Sequence, residues 1–241
     1  NGLEMEVIES IPVHEDIKMG KPTRDKYIAN YIENIRRVAK YGVKCICYNF
    51  MPVFDWLRTE MYHKNSDGST SLSYSYEDFK KIDPNNLHLP GWDESYSHDE
   101  LQSLLNEYKS ISHEQLFENL VYVLNKVIPT CDELNVKMAI HPDDPAWPVF
   151  NLPRIITGKE AILKMLKAVD KPYNGITLCM GSLGTNLNND LPDIIRSCKG
   201  RVHFAHIRNL HHFAPGVFEE AAQLSSDGSF DMYEAVKALH D

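Results

Sequence analysis

Three residues stand at the ends of short apolar runs, and their types are ones that can share a metal ion. His141 follows Val136–Ile140, Cys179 follows Ile176–Leu178, and His206 follows Val202–Ala205. Two imidazoles and a thiolate, with a coordination position left open, suit a catalytic divalent cation. Blander readings stand beside this one. A lone strand-end histidine is more often a hydrogen-bonded structural residue, and a lone buried cysteine is usually a small apolar filler. A nucleophilic Cys179 with a histidine base is a further alternative, but it leaves the second strand-end histidine unexplained. There is no GxSxG string, and "CMGSLGTN" resembles a glycine-rich loop only superficially. "SSDGS" (Ser225–Ser229) lacks the glycine density and lysine of a phosphate loop, and is expected to form a turn and N-cap before Met232.

Five apolar runs are expected to be the strands that place these residues: Met5–Ile8, Val43–Tyr48, Val136–Ile140, Ile176–Leu178 and Val202–Ala205. Helical patterns lie between them. Thr23–Gly42 offers a Thr N-cap and a terminal Gly, and Ser112–Asn135 opens on the capping-box match "SHEQ". "GKEAILKMLKAVD", "LPDIIRSCKG" and "SFDMYEAVKALHD" are shorter. Strand–helix alternation with unalternating apolar strands indicates a parallel sheet covered by helices. In a parallel α/β barrel every strand C-terminus faces one mouth. A histidine that ends a strand therefore leaves the apolar interior there. Pro142 and Pro145 disfavour helical geometry at His141 and Asp144, so "HPDDPAW" is expected to run extended over the rim.

Other residues admit two readings. Arg208, in "HIRN", suits a bidentate carboxylate contact and equally a salt bridge capping the rim. Cys45 and Cys47 are expected to pack inside a strand, and Cys131 and Cys198 on helices. His211–His212 reads as a surface pair on a loop. The polar, turn-rich stretch from about 61 to 108 is too long for an ordinary connection and is expected to be a functional insertion or lid on a single domain spanning 1–241.

At 241 residues, 43% hydrophobic, the chain suffices for one barrel-sized core. A net charge of −9 without a basic stretch argues against nucleic acid or an anionic membrane surface as partner. No apolar run is long enough to span a bilayer. Five scattered cysteines without a CxxC, and an opening without the basic and apolar regions of a secretion signal, point to a reducing, cytoplasmic setting. Strand and helix patterns begin and stop abruptly at the termini, so further elements are expected at both ends.

Several long strings carry a resemblance: "IESIPVHEDIKMGKPTRD", "CYNFMPVFDW", "MAIHPDDPAWPVFNLPRI", "TLCMGSLG", "HFAHIRN" and "LSSDGSFDMYEAVKALHD". Together they closely resemble the mannonate dehydratase family from end to end of the chain. The resemblance implies a TIM-type (β/α)8 barrel of the xylose-isomerase-like kind, incomplete here. It implies a hydro-lyase that converts D-mannonate to 2-dehydro-3-deoxy-D-gluconate and water in hexuronate breakdown, with Mn²⁺ or Fe²⁺ as cofactor. The family's metal-binding His, Cys and His fall on His141, Cys179 and His206. On strand-end position alone, Arg208 and Asn209 are expected to orient such a sugar acid, and Asn49 or His14 to contact its hydroxyls. Members continue past "ALHD" into an "RPDHG" string that supplies a further ligand and an acid/base histidine. The catalytic acid and base are therefore left unassigned here, and the chain alone is expected to turn over poorly. A homo-oligomer is expected. Two other readings stay open: a metal-dependent sugar isomerase or epimerase on the same barrel, and a non-catalytic barrel remnant.

Overall fold

The computed structural model describes residues 2–82 and 96–241. Nine strands occur among them: β1 (Val7–Glu9), β2 (Cys45–Tyr48), β3 (Glu60–Lys64), β4 (Thr70–Ser75), β5 (Lys137–Ile140), β6 (Asn174–Cys179), β7 (Val202–His206), β8 (Asn209–Ala214) and β9 (Val217–Ala221). The helices are α1 (Glu15–Lys18), α2 (Arg24–Ala39), α3 (Tyr76–Phe79), α4 (His98–Tyr108), α5 (His113–Leu134), α6 (Lys159–Ala168), α7 (Met180–Gly184), α8 (Leu191–Ser197) and α9 (Met232–His240).

All five expected strands form, with ends shifted by a residue or two. They make one parallel sheet in the order β1-β2-β5-β6-β7, so every C-terminal end lies on the same side. Strands β2 and β6 are buried along their whole length, which is why they read as unbroken apolar runs. Their outer face packs under α2 and α5, where Ile28, Ile35, Leu120, Leu124 and Ile128 close the core. Helix α5 starts where its sequence signals, with the Ser112 hydroxyl accepting from Gln115 N–H. It ends on Asn135 in the left-handed region, at φ 54°. The expected Thr23 cap does not form: its hydroxyl donates to Asp16 instead.

The 61–108 stretch departs from the expected lid loop. Residues 83–95 lie outside the described residues, but on either side of them the chain is folded. Strands β3 and β4 form a hairpin around Asp67–Gly68, where Gly68 has φ +86°. The signals were there: the turn pair Asp-Gly and the alternation of "TSLSYS" in β4 are hairpin marks. A second hairpin, β8–β9, joins it to give an antiparallel sheet in the order β3-β4-β9-β8. His211 and His212 thus sit in a strand, not on the expected loop. The reason is the tight Pro215–Gly216 turn, with Gly216 at φ +73°, which folds β9 back on β8. Under this sheet Phe54, Leu57, Tyr74, Leu101, Tyr108, Leu210 and Phe218 form a separate apolar cluster. Among the described residues no helix is long and apolar enough to cross a membrane.

Candidate metal centre

Strand register brings the three strand-end residues together. Cys179 and His206 are direct partners at the ends of β6 and β7. His141 follows β5 immediately, and its backbone N–H still bonds Tyr48 O (2.6 Å). Their ligand atoms all lie within 4.8 Å of one another. Donors bound to one ion at about 2.0–2.3 Å sit at most about 4–5 Å apart, so this spacing needs only small adjustments. The His141 Nδ1–H donates to the Pro142 carbonyl (2.7 Å), which leaves Nε2 as its donor atom. The expectation that these three converge is met, and their chemistry fits a divalent cation.

Electrostatics prepare the sulfur. Burial alone would raise the Cys179 thiol. The Arg208 charge, with hydrogen bonds from His141 and His206, outweighs burial and holds it well below its usual range. The Ser182 N–H and hydroxyl also approach Sγ, at 3.4 and 3.1 Å. Hydrogen bonds to Cys179 and Glu9 push His206 up to about 9. The Glu9 carboxylate, 2.9 Å from His206 Nε2, is lowered chiefly by that contact.

The two carboxylates after His141 have separate tasks. Asp143 accepts from the Ile156 N–H (2.6 Å) and lies beside buried Arg154. Asp144 accepts from Arg58 Nη1 and Nη2 (2.7 and 3.2 Å), Arg208 Nη2 (2.6 Å) and the Ser182 hydroxyl (2.9 Å). Its burial opposes ionisation, but the Arg58 and Arg208 charges hold it well below the usual carboxylate range. Arg58 also reaches Glu220 on β9 at 3.2 Å. Arg208 thus makes a salt bridge to Asp144 at the rim while also lining the cleft.

A cleft of about 300 Å³ opens over the centre, and Glu9, Cys47, Asn49, Trp56, His141, Asp144, His206 and Arg208 help to line it. Asn49 uses Oδ1 to accept from Met51 N–H (3.1 Å), which leaves its amide N–H groups for a ligand. Two expected substrate contacts lie elsewhere. The His14 ring stacks on Tyr27 at 3.5 Å and accepts from Asp16 N–H, away from the lining residues. Asn209 is wholly buried and donates to the carbonyls of Ala222 and Leu224 (both 2.9 Å), pinning the turn before α9. Both were chosen for proximity in sequence, which does not report side-chain direction. Cys47, expected to be plain core packing, faces the cleft.

The family model for D-mannonate dehydratase (UxuA) matches residues 1–241. The mannonate dehydratase of Brachyspira hyodysenteriae is 55% identical over 251 residues, covering all of this chain and 70% of that protein. The chain belongs to the D-mannonate dehydratase family. The crystal structure of mannonate dehydratase from Streptococcus suis serotype 2 superposes with a TM-score of 0.91 at 44% identity, covering 100% of this chain and 66% of that one. A xylose isomerase-like TIM barrel protein from Mycobacterium smegmatis shares the fold, with a TM-score of 0.53 at 12% identity over 99% of this chain and 63% of that one. The parallel sheet is thus part of a (β/α)8 barrel, and the family's reaction is the hydro-lyase dehydration of D-mannonate. Sequence reasoning missed Glu9, Arg58, Asp144 and Ser182 around this dehydratase centre. Of these, Glu9 ends a strand and Asp144 stands in the proline-flanked loop, so both carried a positional signal. Arg58 and Ser182 carried none.

Proposed function

We propose that this chain holds Mn²⁺ or Fe²⁺ between His141, Cys179 and His206 and works on D-mannonate in the cleft above them. The product is 2-dehydro-3-deoxy-D-gluconate, with water lost. The observation that carries this reading is the convergence of two imidazoles and a thiolate within 4.8 Å at strand ends, in a chain of this family. When bound, such an ion stabilises negative charge that builds on substrate oxygens as the proton alpha to the carboxylate leaves.

The protein groups orient the sugar acid. Arg208, held in place by Asp144 and Ser182, lines the cleft and offers its guanidinium to the substrate carboxylate. Asn49 offers amide donors to a hydroxyl. The Pro142 carbonyl fixes the His141 ring so that its ligand nitrogen faces Cys179. The β3–β4 hairpin of the insertion is assigned to contacts with further copies of the chain. A cytoplasmic location suits five free cysteines.

The test is incubation with D-mannonate and Mn²⁺ followed by mass analysis. Loss of one water and appearance of a 2-keto-3-deoxy acid are expected, slowly in this chain and at an ordinary enzyme rate in a full-length relative. A product of unchanged mass would mark an isomerase or epimerase instead. Elemental analysis of the purified protein separates either enzyme from a metal-free barrel remnant.

A further inference from the structure

We propose that Glu9, Cys47 and His206 form a second cation site, suited to a soft divalent ion of the Zn²⁺ or Cd²⁺ class, which shares its imidazole with the first. The ligand atoms of these three residues also lie within 4.8 Å of one another. Their placement follows from the sheet. Glu9 and Cys47 are register partners on β1 and β2, and His206 reaches them from β7, at the opposite edge of the curled sheet. The Thr177 hydroxyl lies 3.1 Å from Cys47 Sγ and fixes the side chain toward the cleft that it lines.

One carboxylate, one thiol and one imidazole are each ordinary ligands of Zn²⁺, and the thiolate also suits the softer Cd²⁺. As the sulfur–metal bond forms, the S–H bond breaks and the proton leaves to solvent, so no oxidant or reductant is needed. Because His206 belongs to both groups, an ion at either site leaves the other with two of its protein donors. Filling one site therefore weakens the other without abolishing it, so the two fill at different cation concentrations. It goes beyond the dehydratase reading and does not depend on the reaction.

Titration of the metal-free chain with Cd²⁺, followed by near-ultraviolet thiolate-to-metal absorption, tests this. The unaltered chain should show two increments. Cys47→Ser should lose the second, about half the total amplitude, and keep the first. Cys179→Ser should lose the first and keep the second. Glu9→Gln, a half-exposed change that leaves the thiol in place, should weaken the second step by at least about 10-fold. It also serves as the deciding variant if circular dichroism shows Cys47→Ser misfolded. A single increment in the unaltered chain, or two in a folded Cys47→Ser protein, would overturn the proposal. Failure of the first centre has its own sign: a first increment that survives Cys179→Ser.

Discussion

At Asp144 two guanidinium groups and a hydroxyl converge on one carboxylate, and the carboxylate and Arg58 are both almost wholly buried. Removing its charge while keeping its shape leaves Arg58 and Arg208 without their counter-ion. Asp144→Asn is expected to cost about 3–5 kcal/mol, read from urea unfolding. The sign with pH follows from the direction of the shift. Asp144 is held below its unfolded value, so its contribution is complete above about pH 4–5 and is lost only as the solution becomes strongly acid. In the Asn variant that acid-limb loss should be smaller; an unchanged acid limb would count against the assignment. At Cys179 the expected effect is on the ion. Cys179→Ser should remove this centre's share of the thiolate-to-cobalt absorption and weaken cation binding there by at least about 100-fold, since even outer partners of a ligand cost 10–100-fold.

Strands β6 and β7 carry two of the three donors, and the way they meet depends on a residue with no side chain. A Cβ on Gly175 would come within 2.3 Å of Arg201 O and 2.5 Å of the His203 ring. Just beyond it the register slips, Ile176 facing Val202 but Thr177 facing Phe204, so β7 takes an extra residue before His206 comes level with Cys179. Gly175→Ala must push backbone against backbone. It is expected to destabilise the fold by about 1–3 kcal/mol and to loosen cation binding by separating the two strands. Calorimetry and a metal titration on the same sample would check both. The element scale is also where sequence reading succeeded and failed most clearly. The five parallel strands were legible because burial on both faces leaves continuous apolar runs. Of the antiparallel hairpins, β3–β4 carried marks that went unread, the Asp-Gly turn and the alternation of β4, whereas β8–β9 carried little, because its half-exposed strands hold His and Glu among the apolar residues. "NLHHFA" reads as polar until Phe218 and the tight turn supply its reason to pair.

For the whole molecule, a cation held as proposed by His141, Cys179 and His206 would make binding and folding one equilibrium. The three donors come from three separate strands, so the unfolded chain has no equivalent site. Mn²⁺ at about 100 times its dissociation constant should add about 2.7 kcal/mol and raise the melting temperature by about 5–10 °C. The rise should be reversed by a chelator and absent in His141→Ala. A melting curve insensitive to divalent ions in the unaltered chain would remove the centre from the account. At this scale the barrel class was readable from strand–helix alternation and the family resemblance, and the convergence of His141, Cys179 and His206 from what stands at the end of each strand. The ion-paired ring behind them was not. Arg58, Asp144, Ser182 and Glu220 are scattered over 163 positions of chain, from 58 to 220, and only the tertiary fold makes them neighbours.

Arg58 grips Asp144 on the barrel side and Glu220 on the hairpin side with the same nitrogen, Nη2, at 3.2 Å to each. The β8–β9 hairpin is thus not an ornament that can be exchanged freely between barrels. Transplanted without its lock, it would strand a cation in one host and an anion in the other. Variation in the outer sheet is therefore tied to the chemistry of the mouth, and the two must drift together.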